Sequence, residues 1–93
     1  MKPDIKIHHN PQAQRFEVQL GDGMALCSYR QQAQVLVLHH TEVPPALQGQ
    51  GIAAALVQAA LDWARADGLS VQPVCSYVAA YMQCHPQTQD LLA

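Results

Sequence analysis

The sequence predicts a mixed α/β (α+β) fold: a mostly antiparallel sheet, a β-α-β crossover, one long helix across one face, and short helices at the C-terminus. Three features carry this expectation. Arg15–Leu20 alternates strictly, with Phe16, Val18 and Leu20 on one side and Arg15, Glu17 and Gln19 on the other, the period of a half-buried strand. Val35-Leu36-Val37-Leu38 is a continuous apolar run, the mark of a strand covered on both faces and therefore inside the sheet. Over residues 48–67 the period changes to that of a helix, and Ile52, Leu56, Ala59, Ala60 and Trp63 share its inner face.

The remaining elements follow in chain order. Ile5 and Ile7 alternate with polar neighbours and predict a first strand, closed by a turn at Asn10-Pro11. Gly21-Asp22-Gly23 predicts a tight hairpin, because glycine reaches positive φ without steric cost. Residues 24–29 form the return strand, and the polar residues 30–34 turn the chain into the apolar run. The alanines of the long helix favour helix and allow close packing on a sheet. Gln58, Asp62 and Arg65 fall on its outer side, with Asp62 placed to pair with Arg65. Gly68 ends it as a C′ residue.

Residues 69–75 predict a last strand, joined to the apolar run by a helix and so expected to be parallel and right-handed. Pro73, which has no amide to donate, puts that strand at an edge. Ser76–Cys84 predicts a second helix with Tyr77, Ala80, Tyr81 and Cys84 on one side, ended by His85-Pro86. Residues 87–92 form a last helical turn whose Leu91 and Leu92 dock on the body.

The chain has 93 residues, read as one domain over 1–93. A chain of this size buries roughly 60–65% of its unfolded surface. With 49% apolar and 13% charged residues it has the composition of a globular protein. A net charge of -2 argues against nucleic acid as a partner, since binding a phosphate backbone needs a basic face. Residues 1–12 are polar and proline-punctuated, unlike a secretory signal, and no apolar run approaches the ~20 residues that cross a bilayer. A cytoplasmic protein without a membrane partner, monomeric or weakly dimeric, is the expectation. Cys27, Cys75 and Cys84 are an odd number without a CxxC pair, as expected of free thiols in a reducing compartment. The histidines fall as His8-His9, His39-His40 and His85. Neighbours on a strand point to opposite faces, and Cys84-His85 lacks a local ligand pattern, so no metal is expected.

The stretch from Thr41 to Ala53 carries the functional signal. It leaves the apolar strand, turns through Pro44-Pro45, and enters the long helix through Gly49 and Gly51. No Ser, Thr, Asp or Asn stands where a helix would be capped, and no acidic residue lies between Glu42 and Asp62. The first amides of a helix need acceptors, and the positive end of its dipole favours an anion. Uncapped donors, close backbone approach at the glycines and no local carboxylate describe a place for a phosphate-bearing ligand. The same glycines would also serve a plain turn with water on the donors.

Strand, proline turn, Gln-x-x-Gly-x-Ala, long helix and parallel strand together resemble the GNAT superfamily of acyl-CoA N-acyltransferases. Its pyrophosphate motif matches Gln48-Gly49-Gln50-Gly51-Ile52-Ala53. His40-Thr41-Glu42-Val43-Pro44, Pro73-Val74-Cys75, Tyr77-Val78, Tyr81 and His85-Pro86 extend the likeness to the minimal, single-domain YjdJ-type proteins. That subfamily follows His-Pro with an acidic residue and an aromatic, where this chain has Gln87 and Thr88. The resemblance implies that the backbone around residues 48–53 cradles the pyrophosphate of acetyl-CoA. It also implies that the strand end His40, Thr41, Glu42 and Val43 runs beside the pantetheine arm. The arm would lie in a splay between this strand and the one ending at Cys75.

Acetyl transfer to an amine needs a nucleophile, a route for its proton, a stabilised oxyanion and a proton for the departing CoA thiolate. Cys75 stands at a strand end where a helix begins, a position that lowers a thiol pKa. Its thiolate could take the acetyl group and pass it on; it is also the position that the resemblance gives to a catalytic cysteine. Tyr77 and Tyr81, one turn apart, are candidate proton donors to the leaving thiolate. Glu42, His39 and His40 are candidate bases, and an ordinary strand directs only one of the two histidines toward the ligand. Cys27 and Cys84 read as core residues, and His85 as a structural helix end. Two rivals share the stretch: a module that binds acyl-CoA without chemistry, and an interaction protein whose glycines serve only a turn. The amine acceptor is not specified, and an open site would suit a protein or peptide.

Overall fold

A computed structural model describes residues 6–21 and 23–93. Five strands form one sheet in the order β1-β2-β3-β4-β5: β1 is His8–Asn10, β2 Arg15–Leu20, β3 Gly23–Gln32, β4 Val35–Glu42 and β5 Ser70–Pro73. The first four are antiparallel neighbours, and β4 and β5 run parallel, as the crossover requires. Helix α1 (Ile52–Ala66) connects those two, and α2 (Ser76–Cys84) follows β5. Among the described residues, no helix is long and apolar enough to cross a membrane.

The alternation of β2 and the apolar run of β4 do what they predict. Phe16 and Val18 are buried, and Leu36, Val37 and Leu38 are all covered, so β4 is buried on both faces. Several boundaries differ from expectation. Ile5 and Asp22 lie outside the described residues. Of the first strand, Ile7 precedes the paired segment, and Asn10 is its last paired residue, opposite Arg15. The return strand runs past 24–29 to Gln32, and only Ala33 and Gln34 turn, with Ala33 at φ 55. Polar Arg30, Gln31 and Gln32 fit a strand because one sheet face and the strand end meet solvent. For the same reason β4 continues through His39 to Glu42.

Helix α1 starts at Ile52, four residues later than the periodicity suggested. A 3₁₀ turn at Pro45–Leu47 and the left-handed Gly49 and Gly51 occupy the entry. Its buried stripe is wider than one sheet-facing row. Val57, Leu61 and Ala64 join Ile52, Leu56 and Ala60, while Ala59 and Trp63 are partly buried, because α2 and the C-terminal turn close over a second flank. The expected Asp62–Arg65 pair does not form. Gln58 donates to Asp62 at 2.8 Å, and Arg65 makes a two-pronged contact with Asp90 at 2.8 and 2.9 Å. Asp90 presents both carboxylate oxygens to the guanidinium fork, a better match than one turn of helix allows.

The C-terminus of α1 is a Schellman motif. The Leu69 amide donates to the Ala64 carbonyl at 2.8 Å and Gly68 to Arg65 at 3.4 Å, with Gly68 at φ 71. A Cβ on Gly68 would meet nothing within 4 Å, so alanine there would suffer only the left-handed backbone. We expect Gly68→Ala to cost about 1–2 kcal/mol, read by urea denaturation. An unchanged midpoint would show that the turn relaxes freely.

Beyond α1, β5 is shorter than 69–75 and ends at Pro73, on the sheet edge as that residue predicts. Part of this edge is covered by the C-terminus, where the Ala93 amide donates to the Val71 carbonyl at 2.9 Å. Helix α2 turns Val78 and Met82 inward, so Tyr77, Ala80 and Cys84 face out and Tyr81 is only partly covered. Cys84 is therefore exposed and not a core residue; Cys27 is fully buried. The last helical turn is the 3₁₀ segment Pro86–Leu91; Leu91 docks in the core and Leu92 stays exposed.

At the far end from α2, four rings hold β1 against α1. His9 stacks flat on Phe16 at 4.2 Å, with Trp63 and Tyr29 tilted against it. The Tyr29 hydroxyl lies 2.6 Å from His9 Nε2. Burial, and then the neighbouring His8, hold His9 below its ordinary value of 6.5. The folded protein therefore resists protonating His9, and the unfolded chain takes up the proton first. Stability from this group is complete above pH 6.5 and is lost as pH falls through the lowered folded value. The melting temperature should drop between pH 7 and 5.5, and His9→Phe should flatten that drop. An equal slope in the variant would remove His9 as the cause.

Candidate active site

β4 and β5 stay paired from Val35 opposite Ser70 to Leu38 opposite Pro73, and then part. The Leu38 carbonyl accepts the amides of both Val74 and Cys75, at 3.0 and 2.9 Å, and β5 turns away into α2. β4 continues beside β3 alone through Glu42. The predicted splay therefore exists, with its wedge at Leu38 and Cys75 on its rim.

A β-bulge sits at this point. Tyr29 faces Leu38 and Ser28 faces His40, so His39 is the extra residue. Both His39 and His40 are exposed, contrary to the one-in, one-out expectation for an ordinary strand. The bulge shifts the alternation by one, so that Thr41 turns inward opposite Cys27 while His40 and Glu42 stay in solvent. Without it, the hairpin register would bury an imidazole and a carboxylate, at a cost of several kcal/mol unless they were paired.

Cys75 is the N-cap residue of α2 and is partly exposed. Its thiol donates to the Thr41 hydroxyl at 3.6 Å, and that hydroxyl donates to the Cys27 sulfur at 3.9 Å. Burial pushes the Cys75 pKa up. The Val78 amide, the Thr41 hydroxyl and the Tyr77 and Thr41 amides outweigh it, and the thiol lies below its ordinary value. None of the helix amides closes a capping hydrogen bond to the neutral thiol; they favour the charged form. Cys27, in contrast, is pushed up to about 11 by burial. The two sulfurs on either side of Thr41 thus differ in character, one ionisable and one inert.

The helix entry is built as the sequence suggested. No side chain caps α1, its first turn holds no acidic residue, and Gly49 and Gly51 sit at φ 82 and 77. Among the described residues, the amides of residues 51–54 find no protein acceptor. A Cβ on either glycine would meet nothing within 4 Å, so the two glycines are not packed against other parts of the chain. The Gln48 side chain donates to the Val43 carbonyl at 3.1 Å and ties the loop to the end of β4.

Against this entry lies an open pocket of about 250 Å³, lined by Val43, Gln48, Gly49, Gly51, Ile52, Ala53 and Tyr77. Leu47 and Ala54 also line it and were not singled out from the sequence. Leu47 follows two prolines in a segment without periodicity, which left no signal. Gln50 does not line the pocket, and His40 and Glu42 stand on the exposed end of β4. Tyr77, 40% exposed, is the tyrosine that reaches the pocket. Tyr81 is held apart: its hydroxyl donates to Gln58, and its ring stacks on His85 at 3.9 Å. His85 Nδ1 lies 2.7 Å from the Tyr81 carbonyl, a helix-end contact as expected.

Residues 15–91 match the family model described as GCN5-related N-acetyl-transferase. The chain belongs to the GNAT family. Among curated relatives, Protein NATD1 of Mus musculus is 34% identical over 90 residues, 94% of this chain and 82% of the relative. Protein NATD1 of Homo sapiens is 33% identical, covering 94% and 80%. A GCN5-like protein from Staphylococcus aureus, solved in solution, superposes with a TM-score of 0.73 at 22% identity, over 95% of this chain and 87% of that one. At that identity the superposition speaks for the GNAT fold alone. The parted β4 and β5 and the uncapped start of α1 are thus features of a GNAT domain, and the N-acetyltransferase class follows from the family.

Proposed function

We propose that this GNAT domain binds acetyl-CoA and transfers its acetyl group to an amine, through a cytoplasmic site of the minimal, YjdJ-type kind spanning residues 1–93 as one unit. The observation that carries the reading is the run of unclaimed amides at the start of α1, opening on the pocket beside the parted strands. A diphosphate is the ligand that such donors and the helix dipole favour. Residues 48–53 would hold it by main chain, and His40, Thr41, Glu42 and Val43 would border the pantetheine arm in the splay.

Cys75 is assigned the reacting thiol. Its thiolate attacks the thioester carbonyl, the carbon–sulfur bond to CoA breaks, and the CoA sulfur takes a proton from Tyr77 or water. The amine then attacks the cysteine thioester, loses its proton to solvent with Glu42 or His40 as base, and leaves the Cys75 thiolate free. Tyr81 is the weaker donor candidate, since Gln58 already holds its hydroxyl. The amine acceptor reaches the splay from solvent, on the side where Cys75 is partly exposed, and a protein or peptide amine would suit such an open site.

Thermal stabilisation by CoA, followed by acetyl-CoA turnover with a panel of amines, tests the proposal. Stabilisation with turnover supports it. Stabilisation without turnover on any acceptor would favour a binding module, and no stabilisation would reduce the glycines to a turn.

A further inference from the structure

Thr41 occupies an unusual place: one hydroxyl between two thiols of different character. It stands on β4 opposite the fully buried Cys27 of β3, and Cys75 approaches from the β5–α2 junction. A hydroxyl has a single proton to give. In the present arrangement that proton points to Cys27 at 3.9 Å, and the Cys75 proton points to the hydroxyl oxygen at 3.6 Å. When Cys75 ionises, it becomes an acceptor only, and an anion is the stronger claimant for the donor.

We infer that Thr41 is a positioning residue that sets the charge state of Cys75, turning its hydroxyl from the Cys27 sulfur to Cys75 as that thiol loses its proton. The inference rests on the reading of Cys75 as the reacting group, but its physical content stands without turnover. The rotation moves one proton about a single bond and needs no backbone change. Cys27 acts as the resting acceptor. Its burial holds it protonated, so it never competes as a second thiolate. The other groups around the pair are also assigned. Tyr77 on α2 is uncharged at neutral pH, with burial pushing its pKa further up. On β4, His40 and Glu42 flank Thr41 but stand exposed, while Thr41 itself turns inward. The bulge at His39 is what makes the arrangement, since in an unbroken register His40 would face Cys27.

The test is the pH dependence of Cys75 alkylation by iodoacetamide in the unliganded protein. A Cys84→Ser background removes the exposed competing thiol. Thr41→Val should raise the Cys75 pKa by about one pH unit and slow alkylation at neutral pH several-fold, because the thiolate loses its side-chain donor and keeps only the Val78, Tyr77 and Thr41 amides. Thr41→Ser should restore the parent profile. Cys27→Ala should move the pKa the other way, because the hydroxyl loses its resting acceptor. A purely structural threonine would not give opposite signs at the two positions. An unchanged profile in Thr41→Val, with circular dichroism showing a folded protein, would overturn the inference, and so would failure of serine to rescue. Should the titration behave as stated while Cys75→Ala leaves acetyl transfer intact, the role of Thr41 stands and the chemical role of Cys75 falls.

Discussion

Replacing Cys75 with alanine is expected to slow acetyl transfer by on the order of a hundredfold or more while leaving CoA affinity within about threefold. The argument is local. Cys75 is set at the first turn of α2 with its sulfur toward Thr41, whereas the proposed diphosphate site is made by the main chain of the α1 entry. Truncating the thiol therefore touches the chemistry and not the cradle. The structural cost is small, about 1 kcal/mol, because the residue is only partly buried. Turnover with the best amine and CoA titration by calorimetry are the two measurements. Transfer at the parent rate would mean that the amine attacks acetyl-CoA directly and that the thiol only packs. A matching fall in affinity would mean that the substitution has moved the splay.

The second large effect belongs to Gly51. Gly51→Asp should weaken CoA binding by about 30-fold or more, a loss of roughly 2 kcal/mol or above. A carboxylate at the N-cap would bring negative charge to the amides assigned to the diphosphate. Space is not the difficulty inside the protein, since a Cβ there meets nothing within 4 Å. The left-handed φ of 77 adds roughly 1 kcal/mol of backbone strain to the folded state. Gly51→Asn separates the two contributions. It carries a similar shape and a similar backbone cost without the charge, so it should retain more affinity than the aspartate and show the same melting temperature. Undiminished CoA binding in Gly51→Asp would place the diphosphate somewhere else and remove the support for the proposed site.

Much of the molecule was legible before its structure. Period 2 in Arg15–Leu20, the apolar run at Val35 and period 3.6 after Ile52 each reflect burial of one face, a constraint that acts residue by residue. Gly68 and Pro73 were legible for a different reason. Each permits or forbids one backbone feature, and the structure uses both as expected, in a Schellman turn and on an edge strand. The missing cap at the start of α1 was equally plain, because caps are local and depend on a few side-chain types. The less legible parts depend on partners distant in the chain. Arg65 meets Asp90 and not Asp62, and Tyr81 meets Gln58, because the C-terminal elements fold back over α1. Cys84 and Tyr77 face out because Val78 and Met82 take the core positions of α2, a choice its weakly sided sequence left open.

The sequence by itself determined that a helix would begin uncapped behind two glycines, after a strand and ahead of a parallel one, and hence that donors would await an anion. Only the tertiary structure decided what stands around the thiol. The bulge at His39 shifts β4 by one residue, and that single step puts Thr41, not His40, between Cys27 and Cys75. Pairing register is a balance over two whole strands and the groups they would bury, so it is settled by the assembled sheet and not by any one stretch of chain.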